Sequence, residues 1–154
     1  MDMIEGWFQK YNIPFEAQAE LRLLFISHPR GDDTPSTGTE GDVQNLIRIK
    51  AAELGDVLWR NNSGATTDDA GNFFRFGLGN DSTKLNMVYK SPDLVGLRCD
   101  GKPLFIEVKE PGWNWTGTKH EQGQMNFLTH AASFGALCGF AQSVEDFLHI
   151  RNRY

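Results

Sequence analysis

Residues 91–109, SPDLVGLRCDGKPLFIEVK, decide the predicted fold, because they contain two short apolar segments separated by a turn. Asp93 precedes the first apolar segment, and Glu107 and Lys109 lie at the end of the second. Alternate residues of a strand share one face of a sheet, so Glu107 and Lys109 project together while Val108 turns to the core. The pattern predicts a β-hairpin with an acid at the mouth of one strand and an acid–lysine pair on the next.

The turn at residues 98–102 (RCDGK) sets the register of this hairpin. A three-residue loop with Gly101 in the left-handed conformation sets Asp93 opposite Glu107, on one face. A two-residue Asp-Gly turn would instead pair Asp93 with Val108 and send the two acids to opposite faces. A shared site for the two carboxylates therefore requires the three-residue loop.

Two carboxylates beside a lysine are the groups that a metal-dependent phosphodiesterase needs. Carboxylates hold a hard cation such as Mg²⁺, and a lysine can orient water or stabilise the charge of a phosphate. Glu107 lies between apolar neighbours, where a charge is costly unless it is paired or bound to metal. Asp93 could instead be a solvated acid at a strand end, and Lys109 could merely form a salt bridge with Glu107 or Glu110. The three residues together favour a nuclease.

Length and composition are those of an ordinary globular domain, with 154 residues, 40% hydrophobic and 23% charged. No apolar run approaches the roughly 18 residues of a membrane span, and residues 1–5 lack the basic start of a signal peptide. Cys99 and Cys138 have no metal-ligand spacing and are predicted to remain reduced thiols. We expect a cytoplasmic protein without membrane contact, located in the host cytoplasm if its source is a virus such as a phage.

The net charge of −5 is distributed unevenly along the chain. Residues 1–42 hold eight acidic and three basic residues, whereas residues 43–154 hold twelve of each. Bound metal would offset several of the acids in the second segment. The acidity therefore counts little against a nucleic-acid partner, and it indicates that the N-terminal segment does not contact one.

Hydrophobic periodicity and turn residues divide the chain into an N-terminal helical arm with a linker, residues 1–38, and a catalytic domain, residues 39–154. The arm is predicted to contain helices at 2–11 and 14–27. The predicted elements of the domain are a helix at 39–54, strands at 56–60 and 73–77, the hairpin at 93–109, a helix at 118–134, a strand at 136–141 and a terminal helix from 143. This order predicts an α/β fold, with a mixed β-sheet flanked by helices.

Further motifs accompany the hairpin in a fixed order. They are WRNNSG at 59–64, RFGL at 75–78, Glu121-Gln122 at the start of a helix and SVED at 143–146. With Pro92-Asp93 and Glu107-Val108-Lys109, they make residues 39–148 resemble the VRR-NUC family (virus-type replication-repair nucleases). This family is a branch of the PD-(D/E)xK nuclease superfamily, so the resemblance implies a restriction-endonuclease-like fold.

The resemblance also implies the reaction, which is Mg²⁺- or Mn²⁺-dependent hydrolysis of branched or structured DNA that leaves a 5′-phosphate. A Holliday-junction resolvase is the expected type of enzyme, and flap or fork nucleases of the family are alternatives. Because a four-way junction has two-fold symmetry, we expect a homodimer, in which residues 14–27 could embrace the partner subunit. Two further alternatives are a non-catalytic module that binds structured nucleic acid and a small interaction protein that acts through residues 1–38.

The resemblance assigns additional site residues. It implies a backbone carbonyl of Val108 near the metal, Glu40 as a metal-site residue, and Gln122 as a residue that orients water or Lys109. From the residues alone, Glu40 also suits the first turn of a helix, and Gln122 could be an ordinary surface residue. Phosphate contacts are predicted for four residues, which could equally be turn or surface residues: Arg60, Asn62, Arg75 and Lys119. Two tryptophans could stack on an exposed base or pack in a core or dimer interface: Trp113 and Trp115.

Overall fold

A computed structural model describes residues 3–14, 16–18 and 38–153 of the chain, which divides into two compact units, Met1–Thr34 and Pro35–Tyr154. The first unit contains helix α1 (Met3–Lys10), where the sequence predicts a helix. Most of the second predicted helix, residues 14–27, and the predicted linker lie outside the described residues. No described helix is long and apolar enough to cross a membrane.

The second unit is a mixed α/β domain. Its elements, in chain order, are α2 (Glu40–Glu53), β1 (Val57–Arg60), β2 (Gly64–Thr67), β3 (Phe73–Phe76), α3 (Thr83–Val88), β4 (Leu94–Leu97), β5 (Pro103–Val108), α4 (Lys119–Ser133), β6 (Leu137–Ala141) and α5 (Val144–Arg151). Four strands form one sheet in the order β1-β4-β5-β6, with β6 parallel to β5 and the other neighbours antiparallel. The predicted mixed sheet with flanking helices is confirmed.

Two parts of the domain differ from the expectation. The predicted strand at 73–77 is β3, which pairs with β2 in a separate two-stranded ribbon rather than joining the main sheet. β2 begins at Gly64 and α3 lies within the segment 79–90, and the sequence predicts no helix or strand at either place. Both elements are short, so their sequence periodicity was too brief to identify them.

Capping boxes begin the two long helices of the domain. Thr39 Oγ1 accepts a hydrogen bond from the Asp42 N–H, and the Asp42 carboxylate accepts one from the Thr39 N–H in return. Thr118 and Glu121 make the same reciprocal pair at the start of α4, as their spacing predicts. These caps fix the first turns of α2 and α4, from which Glu40 and the α4 site residues project.

One face of the main sheet packs against α2 and α5 and forms the core. The buried side chains of this cluster are Val43, Ile47, Ala51, Leu58, Leu94, Leu104, Ile106, Val108, Leu137, Ala141, Phe147 and Ile150. Helix α4 lies against the opposite face, where the rings of Phe105 and Phe127 meet at 5.6 Å between centroids. Because alternate β5 residues face opposite ways, Glu107 lies with Phe105 on the side that α4 covers.

The β4–β5 hairpin has the register that a shared carboxylate site requires. Leu94 pairs with Ile106 and Leu97 with Pro103, so the same register sets Asp93 opposite Glu107. The Arg98 N–H donates to the Lys102 carbonyl at 2.8 Å, and Gly101 has φ +89°. The three-residue loop with a left-handed glycine is therefore confirmed, and the two-residue alternative is wrong.

Candidate active site

Glu107, Lys109 and Gln124 form a hydrogen-bonded cluster between the end of β5 and α4. Lys109 Nζ lies 3.0 Å from Glu107 Oε1 and donates to Gln124 Oε1 at 3.1 Å. The Gln124 amide nitrogen donates to the same Glu107 oxygen. Since a lysine ammonium only donates, its contact with Oε1 fixes the orientation of the Gln124 amide and turns the amide nitrogen to Glu107.

Asp93 is held at the edge of this cluster by the backbone around it. Its Oδ2 accepts a hydrogen bond from the Val108 N–H at 2.9 Å. Asn61 supports the same segment, because its N–H donates to the Asp93 carbonyl at 2.7 Å and its side chain donates to the Pro92 carbonyl at 2.9 Å. The structure thus brings together the three residues that the hairpin pattern singles out, and Asn61 is a support for them rather than a solvent-facing turn residue.

The surroundings of Glu107 destabilise the ionised form of its carboxyl group. The residue is 2% exposed, and its Oε2 is buried without a hydrogen-bond donor among the described residues. Burial first, and then the charge of Asp93, raise the pKa of Glu107 to about 8, although Lys109 acts in the opposite direction. With a pKa of about 8, Glu107 holds a proton at neutral pH when no other positive charge is bound beside the two carboxyl groups.

Glu40, the first residue of α2, lies within electrostatic reach of the same cluster. Partial burial raises the pKa of Glu40, the charge of Asp93 raises it further, and Lys109 lowers it. Glu40 itself is largely exposed. Its position is consistent with a carboxylate at the rim of the site, as the resemblance implies, and its metal-site role stays a prediction.

Gln122, which the resemblance assigns to the site, is exposed, and it is Gln124 that contacts Glu107 and Lys109. Side chains two residues apart on a helix point in directions that differ by roughly 200°. Because Gln124 faces Glu107, Gln122 points away from it. The sequence offered two glutamines in the first turns of this helix, and only the rotation of α4 against the sheet selects between them. Gln124 is 4% exposed.

His120 is a further member of the cluster that sequence reasoning left out. Its Nε2 lies 3.1 Å from the Gln124 Nε2, one helical turn away on α4. Burial and then the positive charges of Lys109 and Lys90 lower the pKa of His120. The i, i+4 spacing from Gln124 would have indicated this contact, had Gln124 been identified as the inward-facing residue.

Trp113 packs beside the cluster. Its ring stacks on Phe140 at 5.2 Å between centroids, its Nε1 donates to Glu121 Oε1 at 3.0 Å, and Lys109 Nζ lies 5.7 Å from its centroid. Trp115 meets the same two rings edge-on and is 42% exposed. Trp113 is thus packed within the domain, where its ring lies beside Lys109.

The four predicted phosphate contacts are not gathered at the cluster. Arg60 donates to the Asn45 side chain at 3.2 Å, on the α2 side of the sheet. Arg75 donates to Asn80 and, at 2.8 Å, to Thr83, so its guanidinium is already engaged within the domain. Asn62 and Lys119 are exposed. Their roles in nucleic-acid binding stay predictions.

Comparison of the chain with protein-family models, with curated proteins and with solved structures finds no match. Within residues 3–14, 16–18 and 38–153, no group of three or more His, Cys, Asp and Glu side chains is arranged to hold a metal ion. The paired carboxylates of Asp93 and Glu107, with Lys109 and Gln124 beside them, are thus the candidate site of this domain.

Proposed function

We propose that the protein is a metal-dependent endonuclease that hydrolyses phosphodiesters of structured DNA. The observation that carries the proposal is the meeting of Asp93 and Glu107 beside Lys109, with one buried carboxylate oxygen lacking a donor. A structural ion pair would need one carboxylate for one lysine. The second carboxylate raises the pKa of the first, which a structural ion pair with the lysine does not require.

The donor set suits a small hard cation. Glu107 Oε2 and the Asp93 carboxylate would hold it, with the Val108 carbonyl and Glu40 as the further ligands that the resemblance implies. Mg²⁺ binds through one or two carboxylates and keeps several waters, so two protein carboxylates are sufficient. Mn²⁺ has the same preference for oxygen ligands. A divalent charge would also remove the repulsion that raises the pKa of Glu107.

The protein side chains have distinct parts in the reaction. When bound, the metal supplies Lewis acidity, which makes a water more acidic and stabilises the leaving 3′ oxygen. Lys109 points its ammonium to where negative charge accumulates on the phosphate, and helps to position the attacking water. Gln124 holds Lys109 and Glu107 in their relative orientation through both ends of its amide. Hydrolysis in this manner leaves a 5′-phosphate.

Branched DNA is the proposed substrate, with a Holliday junction as the first choice and flaps or forks as alternatives. The support is the resemblance of residues 39–148 to the VRR-NUC branch of the PD-(D/E)xK nucleases, together with the β-strand order and the Asp93–Glu107 register. Cutting both strands of a junction requires two sites, so we propose a homodimer as the active form.

The test is cleavage of a labelled panel of junction, flap, splayed and linear DNAs with Mg²⁺, Mn²⁺ or EDTA. We expect metal-dependent cuts that favour the branched substrates and leave 5′-phosphate ends. Glu107→Gln, matched by Glu145→Gln at an exposed acid of α5, assigns the activity to the cluster. Full activity of the Glu107→Gln protein would refute the proposal.

A non-catalytic module that binds structured nucleic acid on the same fold is the second candidate, and the exposed Asn62 and Lys119 side chains would serve it equally well. Calorimetric titration with Mg²⁺ separates the two functions. A nuclease should bind Mg²⁺ with a stoichiometry of at least one per site, and the Glu107→Gln variant should lose that binding. A pure binder has no need of a divalent site.

A further inference from the structure

Lys90 crosses the surface of α4 at a position where the helix has no side chain. Its backbone N–H donates to the Gly123 carbonyl at 2.9 Å. A Cβ on Gly123 would lie 2.7 Å from Lys90 Cγ, which is closer than real contacts allow. The glycine is therefore a notch through which the aliphatic stem of Lys90 passes.

This notch is on the side of α4 that faces the cluster. Gly123 lies three residues after His120 and directly before Gln124, so His120, Gly123, Gln124 and Phe127 form one stripe of the helix. Gln124 contacts Glu107 and Lys109, and Phe127 contacts Phe105 on the sheet. Lys90 is thus carried past the same helical face that completes the candidate active site.

The charge of Lys90 is not neutralised within the described part of the chain. Its ammonium donates to the neutral side-chain oxygen of Asn86, and none of the ion pairs among these residues includes it. The residue is half-buried. A half-buried cation held only by an amide oxygen is well suited to an anionic ligand.

His120 provides a hydrogen-bond donor on the same stripe of α4, one helical turn before Gln124. The amide nitrogen of Gln124 can only donate, so the His120 Nε2 at 3.1 Å must accept, and the imidazole proton is on Nδ1. Burial, and then the charges of Lys109 and Lys90, lower the pKa of His120. The Nδ1–H remains a donor that the Gln124 contact does not use.

We propose that Lys90 and His120 form a second phosphate subsite, which binds the phosphate adjacent to the scissile one in a nucleic-acid strand. The subsite rests on the proposed function, because the first phosphate is the one at Asp93, Glu107 and Lys109. The Gly123 notch fixes the direction from which Lys90 reaches it. The ligand class is a nucleotide chain with two successive phosphates.

Calorimetry on the full chain, with Ca²⁺ replacing Mg²⁺, tests this subsite with thymidine 3′,5′-bisphosphate and thymidine 5′-monophosphate as probes. The wild-type protein should prefer the bisphosphate by about tenfold or more, the usual value of one charged hydrogen bond. Lys90→Gln should bind both probes alike, and Lys90→Arg should keep the preference. Lys102→Gln, at the far end of β5, is the matched control and should behave as wild type.

Gly123→Ala provides a second variant in which the lysine remains but its path is blocked, and it should lose the same preference. Thermal melts show whether each variant is folded. A wild-type protein without the preference, or a folded Lys90→Gln or Gly123→Ala protein that keeps it, overturns the subsite. DNA cleavage is measured separately. A preference for the bisphosphate that depends on Lys90, found without cleavage, would support the subsite and refute the nuclease activity. Cleavage without that preference would refute the subsite alone.

Discussion

The Asp93 carboxylate accepts a hydrogen bond from the Val108 N–H at 2.9 Å, beyond the last residue pair of the β4–β5 ladder. On the other side of β5, the Lys109 N–H donates to the Ala141 carbonyl at 2.9 Å. The backbone around Glu107 is thus fixed from both neighbouring strands. Two carboxylates are held close together before any cation binds, which lowers the cost of ordering a site.

The buried carboxylate should make the metal-free protein less stable as the pH rises. The pKa of Glu107 is about 8 in the folded state and 4.5 in its ordinary environment, so between these values the folded chain holds a proton that the unfolded chain has lost. The contribution of Glu107 to the free energy of unfolding is therefore full below pH 4.5 and is lost as the pH rises through 8. The Glu107→Gln variant has no titratable group at this position. In thermal melts with EDTA, its stability relative to wild type should therefore increase between pH 4.5 and 8. If stability had the same pH dependence in the variant and in wild type, the raised pKa of Glu107 would be wrong. The Glu145→Gln control should follow wild type.

Gln124 rather than Gln122 should matter for cleavage. Gln124→Leu removes the amide that joins Lys109 to Glu107, and the loss of such a support typically lowers activity by about 10- to 100-fold. Gln122→Leu changes an exposed residue on the same helix and should leave cleavage rates unchanged. Rates for both variants on one junction substrate make the comparison. Equal losses would show that α4 is oriented differently in the active protein.

Lys109 should affect catalysis more than binding. Lys109→Met keeps most of the stem but removes the charge beside Glu107, and we expect cleavage to fall by about 10²- to 10⁴-fold. DNA affinity, measured by fluorescence anisotropy with Ca²⁺, should change far less. Lys102→Met serves as the control. A parallel loss of affinity and rate would assign Lys109 to substrate binding alone.

Stability should depend strongly on an ion pair at the opposite end of the sheet. Asp56 is 1% exposed, and its carboxylate accepts hydrogen bonds from Arg151 and from the Cys99 N–H at 2.9 Å. Arg151→Met leaves the Asp56 charge buried and should lower the free energy of unfolding by about 3–5 kcal/mol in denaturant titrations. Lys50→Met, which breaks the exposed pair with Glu53, should cost less than about 1 kcal/mol. Similar losses for the two variants would contradict the structural role of Asp56.

The hairpin and the placement of its charged residues were accessible from local sequence. Strand alternation placed Glu107 and Lys109 on one face, and Gly101 allowed the three-residue loop that sets Asp93 opposite Glu107. The α4 start at Thr118 followed from its capping box. These features depend on residues within a few positions of each other, where backbone geometry leaves few alternatives. Residues 14–27, predicted to be helical, lie largely outside the described residues.

The sequence by itself determined a mixed α/β domain with an acid–acid–lysine hairpin, because strand period and turn chemistry are local properties. Only the tertiary structure decided that Gln124, not Gln122, contacts this hairpin, that His120 contacts Gln124, and that β3 pairs with β2 outside the main sheet. The rotation of α4 is fixed by its packing on β5, through contacts such as Phe105 with Phe127. Such contacts join residues distant in sequence, and no short-range pattern records which face of a helix they select.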